Sequence, residues 1–240
     1  MRNLWARDRA TPFYSGYGLV GLVVVAFGFG FTYGAPMVQG EFAAPWFVHL
    51  HGMASLAWVL MVIGQAALVR TGHTQLHRKA GQTALPLALF IWASGIATAK
   101  WAADRDVEAM TTAATSALAG TVTGLSIFVM LVGAAIVTRK HSDWHKRLVL
   151  LATIHLLWPA FFRLRHWLPA IPDPEIWLAL VFAYSPILIA AARDRWKFDK
   201  VHPVWLIVAP MLVAEQTLEV VFFDRGIQQA FGQWLFAQLA

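Results

Sequence analysis

Long apolar runs alternate with short polar segments along almost the whole chain. A membrane core is crossed by about 20 apolar residues of helix, so the pattern predicts seven spans. We place them at Ser15 to Met37, Pro45 to Val69, Thr83 to Trp101, Thr115 to Val137, Leu148 to Leu168, Glu175 to Ala192 and Pro203 to Phe223. The chain is therefore predicted to be an all-α polytopic membrane protein, with residues 1–240 forming one seven-helix transmembrane domain.

Two stretches depart from the regular pattern. The fifth run contains Arg163 and Pro159, but its apolar period of 3.6 residues continues, and proline is tolerated in membrane helices, so we count it as a span. Residues 226–240, GIQQAFGQWLFAQLA, are too short to cross and place Phe231, Trp234 and Leu235 at helical spacing. They predict an interfacial helix that lies on the membrane surface or packs on a partner.

Lysine and arginine concentrate on one side of the predicted spans. Fourteen of the nineteen lie there: Arg2, Arg7, Arg9, Arg70, Arg78, Lys79, Arg139, Lys140, Lys146, Arg147, Arg193, Arg195, Lys197 and Lys200. Cytoplasmic loops carry this excess, so we expect a cytoplasmic amino terminus, an outer carboxyl terminus and a place in the bacterial inner (cytoplasmic) membrane. The net charge of +6 follows from this asymmetry and gives no argument for a nucleic-acid partner.

The composition agrees with a membrane protein and narrows its chemistry. Hydrophobic residues make up 58% of the chain and charged residues 13%, about half the charge of a soluble domain. The chain has no cysteine, which excludes disulfides and thiolate metal sites. The partners expected are the lipid bilayer and, as further candidates, other membrane subunits or a quinone.

Nine histidines are the candidate ligands of the chain. Spans three, five and seven run in the same direction, and each begins just after a histidine: His77, His145 and His202. Three imidazoles at similar depth can converge on a metal, a haem edge or an anionic head group. The alternative is an ordinary membrane interface, where histidine beside Lys, Arg and Trp is also common.

A second set of polar residues lies in the outer half of the spans. At a rise of about 1.5 Å per residue, His51, Arg163 and Glu219 fall in one layer roughly 9 Å outside the midplane. Glu215 lies one turn closer to the centre, and His155 lies close to the midplane. Charged groups at this depth are costly, so they should face the bundle interior and meet.

Two interpretations of this layer stay open. Arg163 and Glu219 form a buried ion pair, with Glu215 protonated or hydrogen-bonded, and the network is structural. Alternatively, a cavity open to the outside holds a transition metal or relays protons. Its ligands would be His51, His155, Glu215 and Glu219.

A haem is the other cofactor that the pattern allows. It requires two axial ligands at equal depth on different helices and basic residues for its propionates. His77 and His145 satisfy the first condition on the inner side, as His49 and His166 do on the outer side. Basic residues next to the inner pair are Arg78, Lys79, Lys146 and Arg147.

Several motifs carry a family resemblance. FYSGYG near the start, VHLHG, LHRKAG, DWHKRL and VHPVW together resemble a widespread family of uncharacterised bacterial seven-span membrane proteins. The segment from His51 to Arg70, with the following His77, is similar to multi-helix b-type cytochromes such as the ascorbate-reducible membrane cytochromes. This second resemblance implies haem b held by histidines on successive spans.

Three functions are compatible with these patterns. The first is a membrane redox protein that binds haem b or a transition metal, with His51, His77, His145, His155 and His202 as the ligand pool. The second is a non-enzymatic accessory subunit of a respiratory or photosynthetic complex. The third is a proton-coupled transporter. A retinal protein is excluded because the seventh span has no lysine for a Schiff base.

Overall fold

The computed structural model describes residues 12–110 and 112–239, and all regular secondary structure within these ranges is helical. Seven helices are long and apolar enough to cross a membrane, which confirms the predicted multi-pass architecture. Spans one to seven are Phe13–Val38, Trp46–Arg70, Thr74–Val107, Thr112–Val137, Ser142–His166, Pro174–Phe198 and Pro203–Val221. Three of the arginines used to predict the orientation lie outside the described residues: Arg2, Arg7 and Arg9.

Four spans are built from more than one helical segment. Span one joins the α-helix Phe13–Phe29, the π-helix Gly30–Gly34 and the α-helix Ala35–Val38. Span six joins Pro174–Ile176, the π-helix Trp177–Phe182 and the α-helix Ala183–Phe198. Span three combines a short helix, Thr74–Gly81, with the long helix Ala84–Met110, and span five is the α-helix Ser142–Arg163 followed by the 3-10 turn Leu164–His166.

Span five is the central helix of the bundle. The buried share of its most apolar window is 61%, against 22% to 33% for the other spans. It contacts spans one, four, six and seven. Because protein surrounds it, this span can contain Arg147 and His155 as buried side chains.

The helices of spans three and five extend beyond the predicted spans. Span five begins at Ser142, six residues before the predicted Leu148, because Asp143 and Arg147 are buried by other helices. The helix of span three continues to Met110, nine residues past the predicted Trp101. The last turns of this helix are polar and contain ion pairs between side chains. One of them joins Lys100 and Asp104, 2.6 Å apart and four residues apart on the helix, a spacing that stabilises helices.

The core between spans two, four and five is aromatic at its centre. The rings of Trp58 and Phe128 meet edge to face, with centroids 4.8 Å apart. Nε1 of Trp58 donates to Oγ1 of Thr153, 3.2 Å away, so the one polar atom of this buried indole has a partner. Trp58 therefore joins the three helices through both packing and a hydrogen bond.

A last helix, Gly226–Gln238, follows span seven and packs on span four. Gly232 lies against the backbone of Thr115, where an added Cβ would come within 2.5 Å of the Thr115 carbonyl oxygen. Nζ of Lys100 lies 4.5 Å from the ring centroid of Phe236, which connects the helix to span three as well. The helix thus packs on its own chain, at the bundle end where span four begins.

We call the other end of the bundle, which holds Arg70, Arg78, Lys146 and Arg193, the basic end. The end covered by helix Gly226–Gln238 is called the distal end.

Candidate functional site

Two histidines face each other at the basic end. His77 lies on the helix Thr74–Gly81, and His145 lies in the first turn of span five. Their ring centroids are 6.3 Å apart, and the ring planes are nearly perpendicular, at 85°. Both side chains are half-buried. The structure therefore brings together the inner histidine pair that the sequence placed at equal depth.

The orientation of His145 is set by the end of span four. Its Nδ1 atom lies 2.8 Å from the carbonyl oxygen of Ala135. A carbonyl only accepts, so Nδ1 carries the proton in this bond and Nε2 carries a lone pair. This is the tautomer in which an imidazole binds a metal through Nε2.

The tautomer of His77 depends on Gln65 of span two, whose amide lies against Nδ1 of the ring. With its amide nitrogen toward the ring, Gln65 donates to Nδ1 and to the carbonyl oxygen of His77 (3.1 Å) and accepts from the Gly81 N–H (3.1 Å). With its amide oxygen toward the ring, that oxygen would also face the carbonyl oxygen of His77, and the NH2 group would face the Gly81 N–H, so the first orientation is the one that satisfies all three contacts. In this orientation Nδ1 of His77 accepts, and a neutral ring carries its proton on Nε2.

Among the described residues, no group of three or more His, Asp or Glu side chains is placed to hold a metal ion. A protein-bound zinc-like ion takes three or four protein ligands, whereas haem supplies four nitrogens and needs two axial ligands at most. The rings of His77 and His145, with centroids 6.3 Å apart, are close enough for both to face one bound group.

His202, the third histidine of the predicted set, has a different role. Its Nδ1 accepts from the backbone N–H of Val204 at 3.2 Å and so caps span seven. Its Nε2 lies 3.4 Å from Oδ2 of Asp143. Burial lowers the pKa of His202 and the charge of Arg147 lowers it further, while Asp143 opposes both effects. The neutral ring agrees with an Nδ1 atom that accepts.

Arg147 forms a buried ion pair that the sequence did not indicate. Its Nε and Nη2 atoms donate to the two carboxylate oxygens of Asp194 in span six, at 2.8 and 2.7 Å. Nη1 donates to the carbonyl oxygen of Asp143 at 2.9 Å, and Nε1 of Trp205 donates to Asp194 at 2.7 Å. The network therefore joins spans five, six and seven, and Arg147 is not a surface cation.

The two histidines of the VHLHG motif point to different neighbours. Nδ1 of His49 lies 2.6 Å from the hydroxyl of Tyr33 in span one. Nδ1 of His51 lies 3.2 Å from the hydroxyl of Ser94 in span three, and its ring lies against Gly95. Residues two apart on a helix diverge by about 200°, so one site cannot use both rings.

The expected ion pair between Arg163 and Glu219 does not form in the described part of the chain. Nη1 of Arg163 donates to the carbonyl oxygen of Pro159 at 3.0 Å, and the guanidinium lies 4.4 Å from the ring centroid of Phe29. The two residues share a depth, but Arg163 faces span one, whereas Glu219 faces span four. The charge network predicted from depth therefore lacks its cation.

His155 is the centre of a hydrogen-bonded chain in the middle of the bundle. Its Nε2 lies 3.1 Å from the carbonyl oxygen of Gly124, and its Nδ1 lies 2.7 Å from the hydroxyl of Tyr184. That hydroxyl lies 3.1 Å from Oε1 of Gln216. All three side chains are buried. Sequence reasoning missed Tyr184, whose only signal is a phenol in the middle of an apolar run.

Glu215 and Glu219 lie next to this chain on span seven. The Glu219 carboxyl packs against Gly120 of span four, where an added Cβ would overlap its Oε1 atom. The Oε2 atoms of Glu215 and Glu219 are shielded from solvent and have no hydrogen-bond partner among the described residues. Neither carboxyl is paired with a described cation, and the predicted metal set of His51, His155, Glu215 and Glu219 is not assembled.

One face of span four presents small and polar residues to these groups. Thr112, Ser116, Gly120 and Gly124 repeat every four residues and therefore lie along one side of the helix. Thr112 and Ser116 donate to the carboxylate of Asp224, at 3.0 and 3.2 Å. The face thus leads from the distal end of the bundle to His155.

Comparisons of this chain with protein-family models, with curated proteins and with solved structures found no match.

Proposed function

We propose that this multi-pass membrane protein binds one haem b at its basic end and takes part in membrane electron transfer. His77 and His145 would hold the haem. The observation that supports the proposal is the pair of facing rings, with centroids 6.3 Å apart and Nδ1 of His145 bound to a carbonyl. A bound haem supplies one-electron oxidation and reduction.

The residues around the pair orient the ligands. The Ala135 carbonyl orients the His145 ring, and the Gln65 amide holds the His77 ring through Nδ1, so haem binding through Nε2 of His77 would require that amide to turn its oxygen toward the ring. Arg78 and Lys79 follow His77 directly and are exposed, so they are the candidates for binding propionates. Arg147 is not a candidate because Asp194 already occupies its guanidinium.

The proposed orientation places this site on the cytoplasmic side. The excess of lysine and arginine at the basic end supports that assignment, as it does for bacterial inner-membrane proteins generally. An electron partner would then approach from the cytoplasm or from within the membrane. An accessory role in a larger respiratory or photosynthetic complex stays a prediction, and it is compatible with this site.

The test is an absorption spectrum of the detergent-purified protein after expression with ample haem supply. We expect a Soret band, about one haem per chain by extraction, and loss of the band in both His77→Ala and His145→Ala. The matched controls are His73→Ala and His141→Ala, four residues before each ligand, which should keep the band. A folded protein without haem would overturn the proposal, and so would equal haem content in all four variants.

A further inference from the structure

The hydrogen-bonded chain at the middle of the bundle accommodates two proton arrangements. Nε2 of His155 must carry a proton because the Gly124 carbonyl only accepts. If the Tyr184 hydroxyl donates its one proton in a hydrogen bond to Oε1 of Gln216, its oxygen can only accept from His155. Nδ1 of His155 must then donate to the phenol oxygen, so both ring nitrogens carry protons and the ring is an imidazolium. If the Gln216 amide turns its nitrogen to Tyr184, the phenol donates to Nδ1 and His155 is neutral.

We propose that His155 and Glu219 form a proton-exchange site that opens to the distal end of the bundle. One proton moves between the Glu219 carboxyl and Nδ1 of His155 by way of the Tyr184 hydroxyl and a bridging water. When the carboxyl holds the proton, both groups are neutral. When the imidazole holds it, a carboxylate and an imidazolium face each other, so the total charge is the same.

Span four shows that the two ends of this site are neighbours. The Glu219 carboxyl packs against Gly120, and Nε2 of His155 bonds to Gly124. These two glycines are one helical turn, about 6 Å, apart on one face. Tyr184 lies within the electrostatic reach of Glu215 and Glu219. The carboxyl and the imidazole are therefore separated by about the length of one phenol or one or two waters.

The carboxyls around the site require at least one bound proton to balance their charge. Tyr17 faces it from span one, His155 from span five, Tyr184 from span six, and Glu215 and Glu219 from span seven. Span four contributes the backbone of Gly120 and Gly124 there, and the guanidinium of Arg163 is turned toward Phe29. Two carboxyls with shielded, unpartnered oxygens cannot both be ionised at this depth without a compensating charge. Protonation of a carboxyl or of His155 supplies that compensation.

A polar path connects Glu219 to the distal end. Ser116 and Thr112 lie one and two turns beyond Gly120 on the same face of span four, and both donate to Asp224. Asp224 follows span seven and precedes the helix Gly226–Gln238 that covers this end. Asp224 is thus placed to pass protons between outside water and Glu219. The inference is independent of the haem proposal, which concerns the other end of the bundle.

The first test is infrared spectroscopy of the protein in lipid nanodiscs, titrated with pH in H2O and in D2O. We expect a protonated-carboxyl C=O band in the wild type that shifts in D2O and is absent from Glu219→Gln. Glu41→Gln, which removes an exposed loop carboxyl, should keep the band. An identical band in the wild type and Glu219→Gln would overturn the proposal, as would a band that never shifts in D2O.

The second test uses nitrogen NMR of labelled histidine to follow the His155 ring in the same titration. We expect Tyr184→Phe to keep the carboxyl band but to uncouple its titration from that of His155. Titration of His155 that is unchanged in Tyr184→Phe would contradict the relay.

A glycine variant covers the case in which Glu219→Gln does not fold. Gly120→Ala should shift the carboxyl band because its methyl group displaces Glu219, whereas Gly133→Ala on the same span, with no neighbour within 4 Å, should leave the band in place. Equal spectra for these two alanine variants would also overturn the proposal.

Discussion

Arg147 and Asp194 form a two-pronged ion pair, with Nε to Oδ2 and Nη2 to Oδ1 distances of 2.8 and 2.7 Å, in which neither side chain exceeds 2% exposure. The pair joins the first turns of span five to the last turns of span six at the basic end. Trp205 donates to the same carboxylate and adds span seven to the network. Since burial removes water from both ions, each charge is stabilised mainly by the other, and the folded protein depends on the pair being intact.

Asp194→Ala should destabilise the protein strongly because it leaves the buried Arg147 cation uncompensated. Loss of one partner of a buried ion pair costs about 3–5 kcal/mol. The expected result is a large drop in the midpoint temperature of thermal unfolding, measured in detergent by tryptophan fluorescence. The double variant Arg147→Met with Asp194→Leu should recover most of the loss, because it leaves no charge buried alone.

The exposed pair of Arg195 and Asp199 provides the control for this prediction. Its side chains are 61% and 90% exposed. Arg195→Ala should change stability by no more than about 1 kcal/mol, as is usual for surface ion pairs. A similar effect of Arg195→Ala and Asp194→Ala would show that the buried network does not connect the three spans.

The fold was predictable to the extent that it depends on span length. All seven spans could be located from apolar runs of about 20 residues, because a helix that crosses the bilayer needs that length. The start of span five was placed six residues too late, since Asp143 and Arg147 are typical loop residues until Asp194 is known to be opposite them. That partner is 47 residues further along the chain, beyond the reach of a local pattern.

The candidate sites show the same limit in another form. Helical rise gives the depth of a residue, and His77 and His145, which it places at equal depth, lie with their ring centroids 6.3 Å apart. Depth says nothing about the rotation of one helix against its neighbours. Arg163 and Glu219 share a layer yet face different spans, so the expected ion pair is absent. Tyr184 became a candidate only when span six was seen to turn it toward His155.

The pKa of His202 predicts a stability change with pH. Burial and the charge of Arg147 lower this pKa in the folded protein, so the unfolded chain binds a proton at a higher pH than the folded one. The free energy of unfolding should therefore be highest above about pH 6.5 and should fall as the pH drops through that value. His202→Asn keeps an acceptor that caps span seven and removes the titrating ring.

The measurement is the thermal unfolding midpoint of the wild type and of His202→Asn between pH 5 and 8. The loss of stability on acidification should be smaller in the variant. The difference between the two curves isolates His202, because other groups titrate in both proteins. Parallel curves over the whole range would contradict the prediction.

The Gln65 amide should control haem affinity through the tautomer of His77. In Gln65→Glu, a carboxylate accepts from Nδ1–H and favours the tautomer with a lone pair on Nε2, so haem should bind more tightly. Gln65→Leu removes any partner of Nδ1, so its affinity for haem should lie below that of Gln65→Glu. Both are measured by titrating haem into the apoprotein and following the Soret band. Equal affinities would show that Gln65 does not act through His77.

Gly232 should determine whether the last helix stays on span four. A Cβ at this position would lie 2.5 Å from the carbonyl oxygen and 3.0 Å from the backbone nitrogen of two successive residues, Thr115 and Ser116, and backbone atoms cannot move aside as a side chain can. Gly232→Ala should therefore push the helix Gly226–Gln238 away, with a cost of about 1–3 kcal/mol for the overpacked contact. Limited proteolysis should then cleave near Arg225 faster than in the wild type. Gly133→Ala, whose new methyl group meets no neighbour within 4 Å, should leave the cleavage rate unchanged. If both variants resist protease as the wild type does, the close approach at Gly232 does not hold the helix in place.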